Sequence, residues 1–119
     1  MDTKLVEKNG RTYLECLPDE WQLASEQDAL DLVAACGEYE TERLLLHAAS
    51  LPDTFYDLKT RLAGDAMLKF SNYRIRVAAI IPAERSSQGR FGEMVMETNR
   101  GNQFRVYPTR EEAEQWLLS

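Results

Sequence analysis

The residues of this chain best suited to nucleophilic or acid-base chemistry are one histidine and two cysteines. His47 lies in a short apolar run, and Cys36 lies on the apolar stripe of a predicted helix. A thiol beside an imidazole can act as a nucleophile with its base. Because both positions should be covered by neighbouring elements, we instead expect His47 to be a satisfied core or rim side chain. Cys16 and Cys36 are predicted to be reduced, buried thiols.

Acidic side chains form two groups in the sequence. Glu15, Asp19 and Glu20 gather near the end of the second predicted strand, and Asp53 and Asp57 open a predicted helix. Paired carboxylates perform acid-base catalysis only when they are held at set distances with separated pKa values. A favourable position at a helix N-terminus accounts for the second group without any reaction. We predict no catalytic residue, no metal site and no cofactor, since one histidine without CxxC spacing matches no common metal motif.

The basic loop before the third main helix is the candidate ligand site. Arg85, Ser86, Ser87 and Arg90 precede or open that helix. Free backbone amides at a helix N-terminus can hold an anion. No glycine-rich phosphate-binding pattern accompanies the loop. A solvated loop in which Ser87 or a neighbour caps the helix is therefore the alternative.

The elements that must position these residues begin with a hairpin. Asn9-Gly10 favours a type I′ turn between two strands, and Pro18 ends the second strand. Ser25 is predicted to cap a helix that ends at Gly37. This hairpin and helix precede a repeated alternation of strands and helices.

Three further strands are predicted, with helices between them. The strands are Arg43–Ala49, Ile75–Ile81 and Gln103–Tyr107. Apolar residues at spacings of three and four predict one long helix that ends at Ser71-Asn72. These residues are Phe55, Leu58, Leu62, Ala66 and Phe70. A shorter helix is predicted to end at Gly101, and a capping box from Thr109 to Glu112 starts the last one.

The predicted element order is ββαβαβαβα. Helices between successive strands require crossover connections, and crossovers make those strands parallel. We therefore expect one α/β domain over residues 1–119, with four helices and a five-stranded, mostly parallel sheet. Only the first strand of the N-terminal hairpin should be antiparallel to the rest.

Two polar turns are predicted at the same end of the sheet. Asn72-Tyr73-Arg74 follows one helix, and Asn99-Arg100-Gly101 follows the next. Equivalent turns of successive units should lie close together. Asn and Gly suit left-handed helix caps and Arg can contact terminal carbonyls, which describes a purely structural role. The other interpretation is a partner-binding patch in which an exposed Tyr73 anchors the interface.

The composition is that of an ordinary globular chain. A length of 119 residues suits one domain, and a hydrophobic fraction of 44% is too high for intrinsic disorder. The formal net charge of −6 provides no overall attraction to phosphate, so nucleic acid is not an expected partner. No apolar run approaches the roughly 20 residues that span a bilayer, and no secretory signal is visible. We therefore expect no membrane partner and a cytoplasmic location.

Three motifs at matching separations resemble a known family. They are Ala63-Gly64, the run KFSNYRIR from Lys69 to Arg76, and ETNRG from Glu97 to Gly101. With the closing Glu112-Ala113, they are similar to a bacterial family catalogued as domain of unknown function 4180, over nearly the whole chain. The resemblance implies no activity, because the family has none assigned.

The predicted element order is also similar to that of the STAS domains, which include bacterial anti-sigma-factor antagonists and act as small protein-binding switches. In those antagonists a phosphorylatable serine follows an aspartate at the start of the helix after the third strand. The resemblance implies Ser50 and Thr54 as phosphorylation sites, and Thr54 follows Asp53 here. Phe55 and Tyr56 replace the small residues of the STAS pattern, and a plain N-cap role is the alternative.

These observations predict a non-enzymatic protein-interaction or regulatory module. Its partner is an unknown protein or a second copy of the chain, because sheet edges and polar turns serve association. A hypothesis from another class is a protein that binds a small anionic ligand, or acts on one, at the loop from Arg85 to Arg90. A third hypothesis is a carrier for an apolar ligand, lined by Met67, Met94 and nearby aromatic side chains.

Overall fold

A five-stranded sheet runs through the computed structural model, which describes all 119 residues. Its strands are β1 (Thr3–Lys8), β2 (Arg11–Cys16), β3 (Arg43–His47), β4 (Arg76–Ile80) and β5 (Phe104–Tyr107). The helices are α1 (Glu26–Glu38), α2 (Asp53–Tyr56), α3 (Leu62–Asn72), α4 (Ala83–Ser86), α5 (Gly89–Thr98) and α6 (Arg110–Leu117). No helix combines the length and hydropathy that a membrane crossing requires.

The strands lie side by side in chain order. β1 is antiparallel to β2, and the pairs β2–β3, β3–β4 and β4–β5 are parallel. This confirms the predicted mixed sheet with one antiparallel strand. The hairpin turn is also confirmed, since Asn9 and Gly10 have φ angles of 55° and 78°, as a type I′ turn requires.

The larger hydrophobic core lies on the face that α1, α3 and α5 cover. Right-handed crossovers between neighbouring strands place all three helices on this side, which we call the helix layer. Side chains alternate along each strand, so every second residue points into this core. Fully buried members from the sheet and helices include Leu14, Leu44, Val77, Leu32, Ala66 and Phe70.

The opposite face of the sheet packs against α6. Tyr13, Leu45 and Ala78 from three strands contact the helix here. The helix contributes Ala113, Trp116 and Leu117. The Thr109 half of the predicted capping box is confirmed, because its hydroxyl accepts a 3.3 Å hydrogen bond from the backbone amide of Glu112. The Glu112 carboxylate accepts from the Thr109 hydroxyl at 3.2 Å and not from its backbone amide.

Two arginines hold the C-terminal end of α6 against the sheet. The guanidinium of Arg76 lies 4.1 Å from the centroid of the Trp116 ring, and that of Arg105 lies 5.0 Å away. Burial and the nearby charges of Arg43 and Arg105 lower the pKa of Arg76. Arg76 also donates a 3.0 Å hydrogen bond to the carbonyl of Ser119. These contacts place cations on a buried aromatic face, where their attraction is strongest.

The prediction of one long helix before β4 is wrong. The segment contains the single turn α2, a 3₁₀ turn at Leu58–Thr60 and then α3, with Arg61 at a φ of 65° between them. The hydroxyl of Thr60 donates to the carbonyls of Thr54 at 2.6 Å and Asp57 at 2.8 Å. Such side-chain bonds to the backbone compete with a continuous helix. The apolar spacing remained helical because both pieces pack on the same core.

The predicted glycine ends of two helices are also wrong. Gly37 lies inside α1, and Gly101 does not adopt a positive φ; the left-handed residue after α1 is Glu40, at 55°. The amides of Glu40 and Thr41 bond the carbonyls of Gly37 and Cys36, which is a Schellman motif. The same motif after α3 places Arg74, not Asn72, at a φ of 58°. The structure also contains the single turns α2 and α4, which periodicity did not predict.

Two glycines provide a matched test of this packing. A Cβ on Gly92 in α5 would lie 2.6 Å from the backbone carbon of Ser87, whereas a Cβ on Gly64 in α3 would meet nothing within 4 Å. We expect Gly92→Ala to lower the free energy of unfolding by about 1–3 kcal/mol. Gly64→Ala should raise it by about 0.5–1 kcal/mol, because alanine loses less entropy in a helix. Urea denaturation measures both, and equal effects would contradict the close approach of α5 to Ser87.

Candidate functional site

A buried carboxylate lies beneath the start of α6, close to the carboxyl ends of the strands. Glu15 on β2 is 4% exposed and accepts hydrogen bonds from two directions. His47, the last residue of β3, places Nε2 2.6 Å from Glu15 Oε2. Arg110 donates from Nη1 to Glu15 Oε1 at 3.3 Å and from Nη2 to Oε2. The expectation that His47 is a satisfied rim residue is confirmed.

The same network continues to the edge of the sheet. The Tyr13 hydroxyl donates to Glu114 Oε2 at 2.6 Å, and Lys8 Nζ donates to Glu114 Oε1 at 2.6 Å. Arg110 Nη1 also donates to the Tyr13 hydroxyl at 3.3 Å. We call these six side chains the charged cluster: Lys8, Tyr13, Glu15, His47, Arg110 and Glu114. It connects β1, β2 and β3 to α6.

Electrostatics keep both carboxylates of the charged cluster ionised. Burial acts to raise the pKa of Glu15, but the hydrogen bonds from Arg110 and His47 outweigh it and lower that pKa. The hydrogen bonds from Lys8 and Tyr13 likewise lower the pKa of Glu114. Burial and the bond to Glu114 raise the pKa of Tyr13, so its hydroxyl stays a donor. The arrangement stabilises fixed charges and uses them to attach α6.

The cysteines are free and buried, as expected. Burial raises the pKa of Cys36 to about 12 and that of Cys16 to about 11. Both therefore carry protonated thiols at neutral pH, which are poor nucleophiles. The imidazole of His47 is bonded to Glu15. No three His, Cys, Asp or Glu side chains converge in a way that could hold a metal ion.

The predicted anion-binding residues divide between two places. Arg85 on α4 donates to Asp53 at 2.7 Å and lies 3.8 Å above the ring of Tyr56. Ser86 ends α4, and Ser87 is exposed without capping α5, whose N-cap is Gln88. Arg90 instead lines a groove at the start of α5. Arg85 and Arg90 are close in the sequence and were predicted to form one site. Only Arg90 lines this groove.

The groove at the start of α5, which we call the α5 groove, has a volume of about 470 Å³. Tyr56, Lys59, Gln88 and Arg90 are among the residues that line it. Lys59 lies in the 3₁₀ turn after α2. Because one long helix was predicted in place of this turn, Lys59 was not predicted to line a groove. The groove presents two cationic residues and one acidic residue, Asp57, beside the first turn of a helix, where backbone amides are unpaired.

A second region of interest lies at the other end of α3. The groove between α3 and α5, which we call the α3–α5 groove, has a volume of about 390 Å³. Its lining includes Met67, Leu68, Ser71, Thr98, Gly101 and Phe104. Residues near the ends of both helices therefore line this groove, and of the two predicted polar turns only Gly101 takes part in the lining. A depression of about 450 Å³ on the far side of α3 is lined by Tyr73 and Gly37, among others.

Two apolar side chains stand exposed beside these depressions. Leu68 and Tyr73 each expose 57% of their surface. Leu68 was not predicted to be a functional residue. It lies off the stripe formed by the buried apolar residues of α3. An apolar residue that falls outside the buried stripe of an amphipathic helix is the signal that would have found it.

The polar residues of the two turns have different roles. Asn72, Tyr73, Arg74 and Arg100 are exposed. Asn99 is used within the fold, since its Nδ2 donates to the carbonyl of Val106 at 3.0 Å and its Oδ1 accepts from the Val106 amide at 2.8 Å. This contact satisfies the backbone groups of Val106 on β5.

The two candidate phosphorylation sites lie in different environments. Ser50 has no exposed surface, so a kinase would reach it only if the turn opened. Thr54 is exposed in α2. Neither residue caps a helix, because Pro52 occupies the N-cap position of α2.

The charged cluster generates a prediction about pH. Because the folded state lowers the pKa of Glu15 from 4.5, the stabilisation is present above about pH 4.5 and is lost as the pH falls through the lower, folded value. Glu15→Gln should cost about 1–3 kcal/mol at pH 7. The difference from wild type should shrink as the pH falls from 4.5 through the lower, folded pKa, because the wild-type carboxylate then becomes protonated. Denaturation across pH 3–8 measures it, with exposed Glu20→Gln as the control; a difference independent of pH would contradict the ion pair.

Comparisons with known proteins place the chain in a family. No curated protein and no solved structure matches it. A family model described as a domain of unknown function, DUF4180, matches residues 8–117, which include β2 to β5 and only the last residue of β1. This confirms the family resemblance carried by the motifs around α3 and α5. The chain belongs to the DUF4180 family.

Proposed function

We propose that this domain works through contact with a protein partner and catalyses no reaction. The observation that carries the proposal is the pair of exposed apolar side chains Leu68 and Tyr73, which flank two neighbouring depressions on either side of α3. Tyrosine is among the residues most often found as interface anchors. A protein that binds such a surface inserts an apolar side chain into a groove between helices.

The lining of the α3–α5 groove supports this role. Met67 and Phe104 provide an apolar floor, and the flexible thioether of methionine adapts to side chains of different shape. Ser71 and Glu97 are exposed residues of the lining and supply a polar rim. An apolar centre with a polar rim is the usual composition of a protein interface.

The side chains capable of acid-base chemistry support the same proposal. His47 and Arg110 both bind the carboxylate of Glu15. Their contacts hold α6 on the sheet, so the cluster has a structural use. The free, buried thiols support a reducing compartment and hence a cytoplasmic location.

The likeness to STAS domains refines the proposal. The order of strands and main helices supports a protein-binding switch of that kind. Exposed Thr54, directly after Asp53 in α2, is the residue available for regulatory phosphorylation. An added phosphate at the start of a helix is electrostatically favourable.

The surface around α3 can be tested by charge substitution. Leu68→Lys and Tyr73→Lys should each reduce recovery of the native partner at least about tenfold, which corresponds to loss of about 1.4 kcal/mol of binding. Quantitative mass spectrometry of affinity-purified tagged protein from the source cells measures recovery. Met96→Lys is the matched control, because Met96 is 66% exposed and lines neither depression. Equal recovery with all three variants would rule out this surface.

The α5 groove favours a second candidate function, the binding of a small anionic ligand. Arg90 and Lys59 line the groove next to the first turn of α5, while Ser86 ends α4 and Ser87 precedes the N-cap residue of α5. Cations together with unpaired amides form an environment for phosphate or carboxylate groups. Arg85, held by Asp53 and Tyr56, contributes from outside the groove.

A thermal-shift series with inorganic pyrophosphate tests this second candidate. Binding should raise the melting temperature of wild type, because a ligand that binds the folded state stabilises it. Arg90→Ala should remove the rise, and Arg85→Ala should retain most of it as the control for loss of one positive charge. No response of wild type, or equal responses of both variants, would count against an anion site in the groove.

A further inference from the structure

The two outer edges of the sheet differ in how their backbone groups are used. At the β5 edge, the amide and carbonyl of Val106 are both bonded by the side chain of Asn99. The β1 edge is longer, with six residues against four, and it pairs only with β2. An edge strand of this length with open backbone groups is a template for another strand.

The hairpin geometry identifies which groups of β1 are open. Lys8 pairs with Arg11 across the two-residue turn, so the backbone groups of Lys8 face β2. The amide of Leu17 donates to the carbonyl of Asp2 at 2.9 Å, which fits the same alternation at the other end. The backbone groups of Thr3, Leu5 and Glu7 therefore point away from the sheet.

We infer that two copies of this chain associate through β1, antiparallel about a two-fold axis at Leu5, to form a continuous ten-stranded sheet. In this register Leu5 of one copy lies opposite Leu5 of its partner copy. Thr3 lies opposite Glu7, and Asp2 lies opposite Lys8. The three outward-facing residues of each copy then exchange backbone hydrogen bonds in both directions.

Side chains favour this register. Leu5 pairs with Leu14 in the hairpin and so points to the helix-layer face, where it remains 39% exposed. Two such leucines at the axis would cover each other. Asp2 and Lys8 bring opposite charges together at each end. Opposite charges across strands stabilise pairing, whereas like charges oppose it.

The neighbouring registers are less favourable. A shift of the pairing by one step in one direction puts Lys4 opposite Lys4, and a shift in the other puts Lys4 opposite Lys8. In the inferred register Lys4 lies opposite Val6. Lysines on an edge strand usually discourage pairing. Here the charge of Lys8 is already compensated by Glu114, 2.6 Å away.

This surface is distinct from the one around α3. It uses the backbone of β1, and its partner is a second copy of the chain. The two can therefore fail separately: substitutions at Leu68 or Tyr73 test the hetero-partner, and substitutions at Leu5 test self-association.

Charge-swap variants at the axis test the inference. In sedimentation velocity over a concentration series, wild type should shift from its 13.7 kDa mass to twice that value. Leu5→Lys and Leu5→Glu should each weaken self-association at least about tenfold, since like charges then meet at the axis. An equal mixture of the two variants should recover the dimer, because opposite charges face each other. Leu68→Lys, with the same change at an exposed leucine of α3, should leave the dimer unchanged.

Several results would overturn the inference. A wild type that stays monomeric at every concentration is one, and a dimer insensitive to both Leu5 variants is another. Failure of the mixture to recover the dimer would exclude the axis at Leu5. Amide hydrogen exchange of wild type provides a readout that needs no variant: protection of the Leu5 and Glu7 amides should rise with protein concentration, while that of Val6 should not. Constant exchange at Leu5 and Glu7 would also overturn it.

Discussion

Right-handed crossover connections between neighbouring strands are the constraint on which the rest of this structure depends. Because β2, β3, β4 and β5 follow each other across the sheet, the connections deliver α1, α3 and α5 to the same side. That side acquires a large apolar core. The other side receives only α6, a helix of eight residues. A short helix has little apolar surface, so its attachment must draw on other interactions.

Charged contacts provide that attachment at both ends of α6. At the start of the helix, Arg110 binds the buried carboxylate of Glu15. Near its end, Trp116 packs against the guanidinium groups of Arg76 and Arg105. Removing a carboxylate from water is costly unless its partners are close and well oriented, and His47 with Arg110 meets that condition. The side chains best suited to acid-base chemistry therefore hold α6 on the sheet.

The sequence predicted the parts of this architecture that depend on local signals. Asn9-Gly10 requires one turn type, Thr109 caps one helix, and unbroken apolar runs mark the buried strands. It failed where side chains compete with the backbone: Thr60 and Asp57 divide the segment that apolar spacing joined into one helix. It also placed one helix end at Gly37 and a left-handed cap at Asn72, whereas Schellman bonds place Glu40 and Arg74 in the left-handed conformation.

The candidate site shows a different limit of sequence reasoning. Glu15 and Arg110 are separated by 95 positions, and their contact follows only from the crossing of α6 over the sheet. Glu15 was grouped with Asp19 and Glu20 because they are near in sequence, although alternation along β2 turns Glu15 inward. The exposed Leu68 and the division between Arg85 and Arg90 likewise depend on how helices rotate and where turns interrupt them. Local sequence patterns define the helices and strands, but tertiary packing decides which way each side chain faces.

The side chain of Asn99 has a consequence for how sheets of this protein can grow. An incoming strand at β5 would have to displace an amide that already satisfies both backbone groups of Val106. Strand addition at β5 therefore loses the bonds of Val106, and a molecule with one favourable edge does not readily extend from both sides into a fibril. Asn99 therefore disfavours strand addition at β5. This protects the protein from polymerisation at concentrations where an open sheet edge would lead to aggregation.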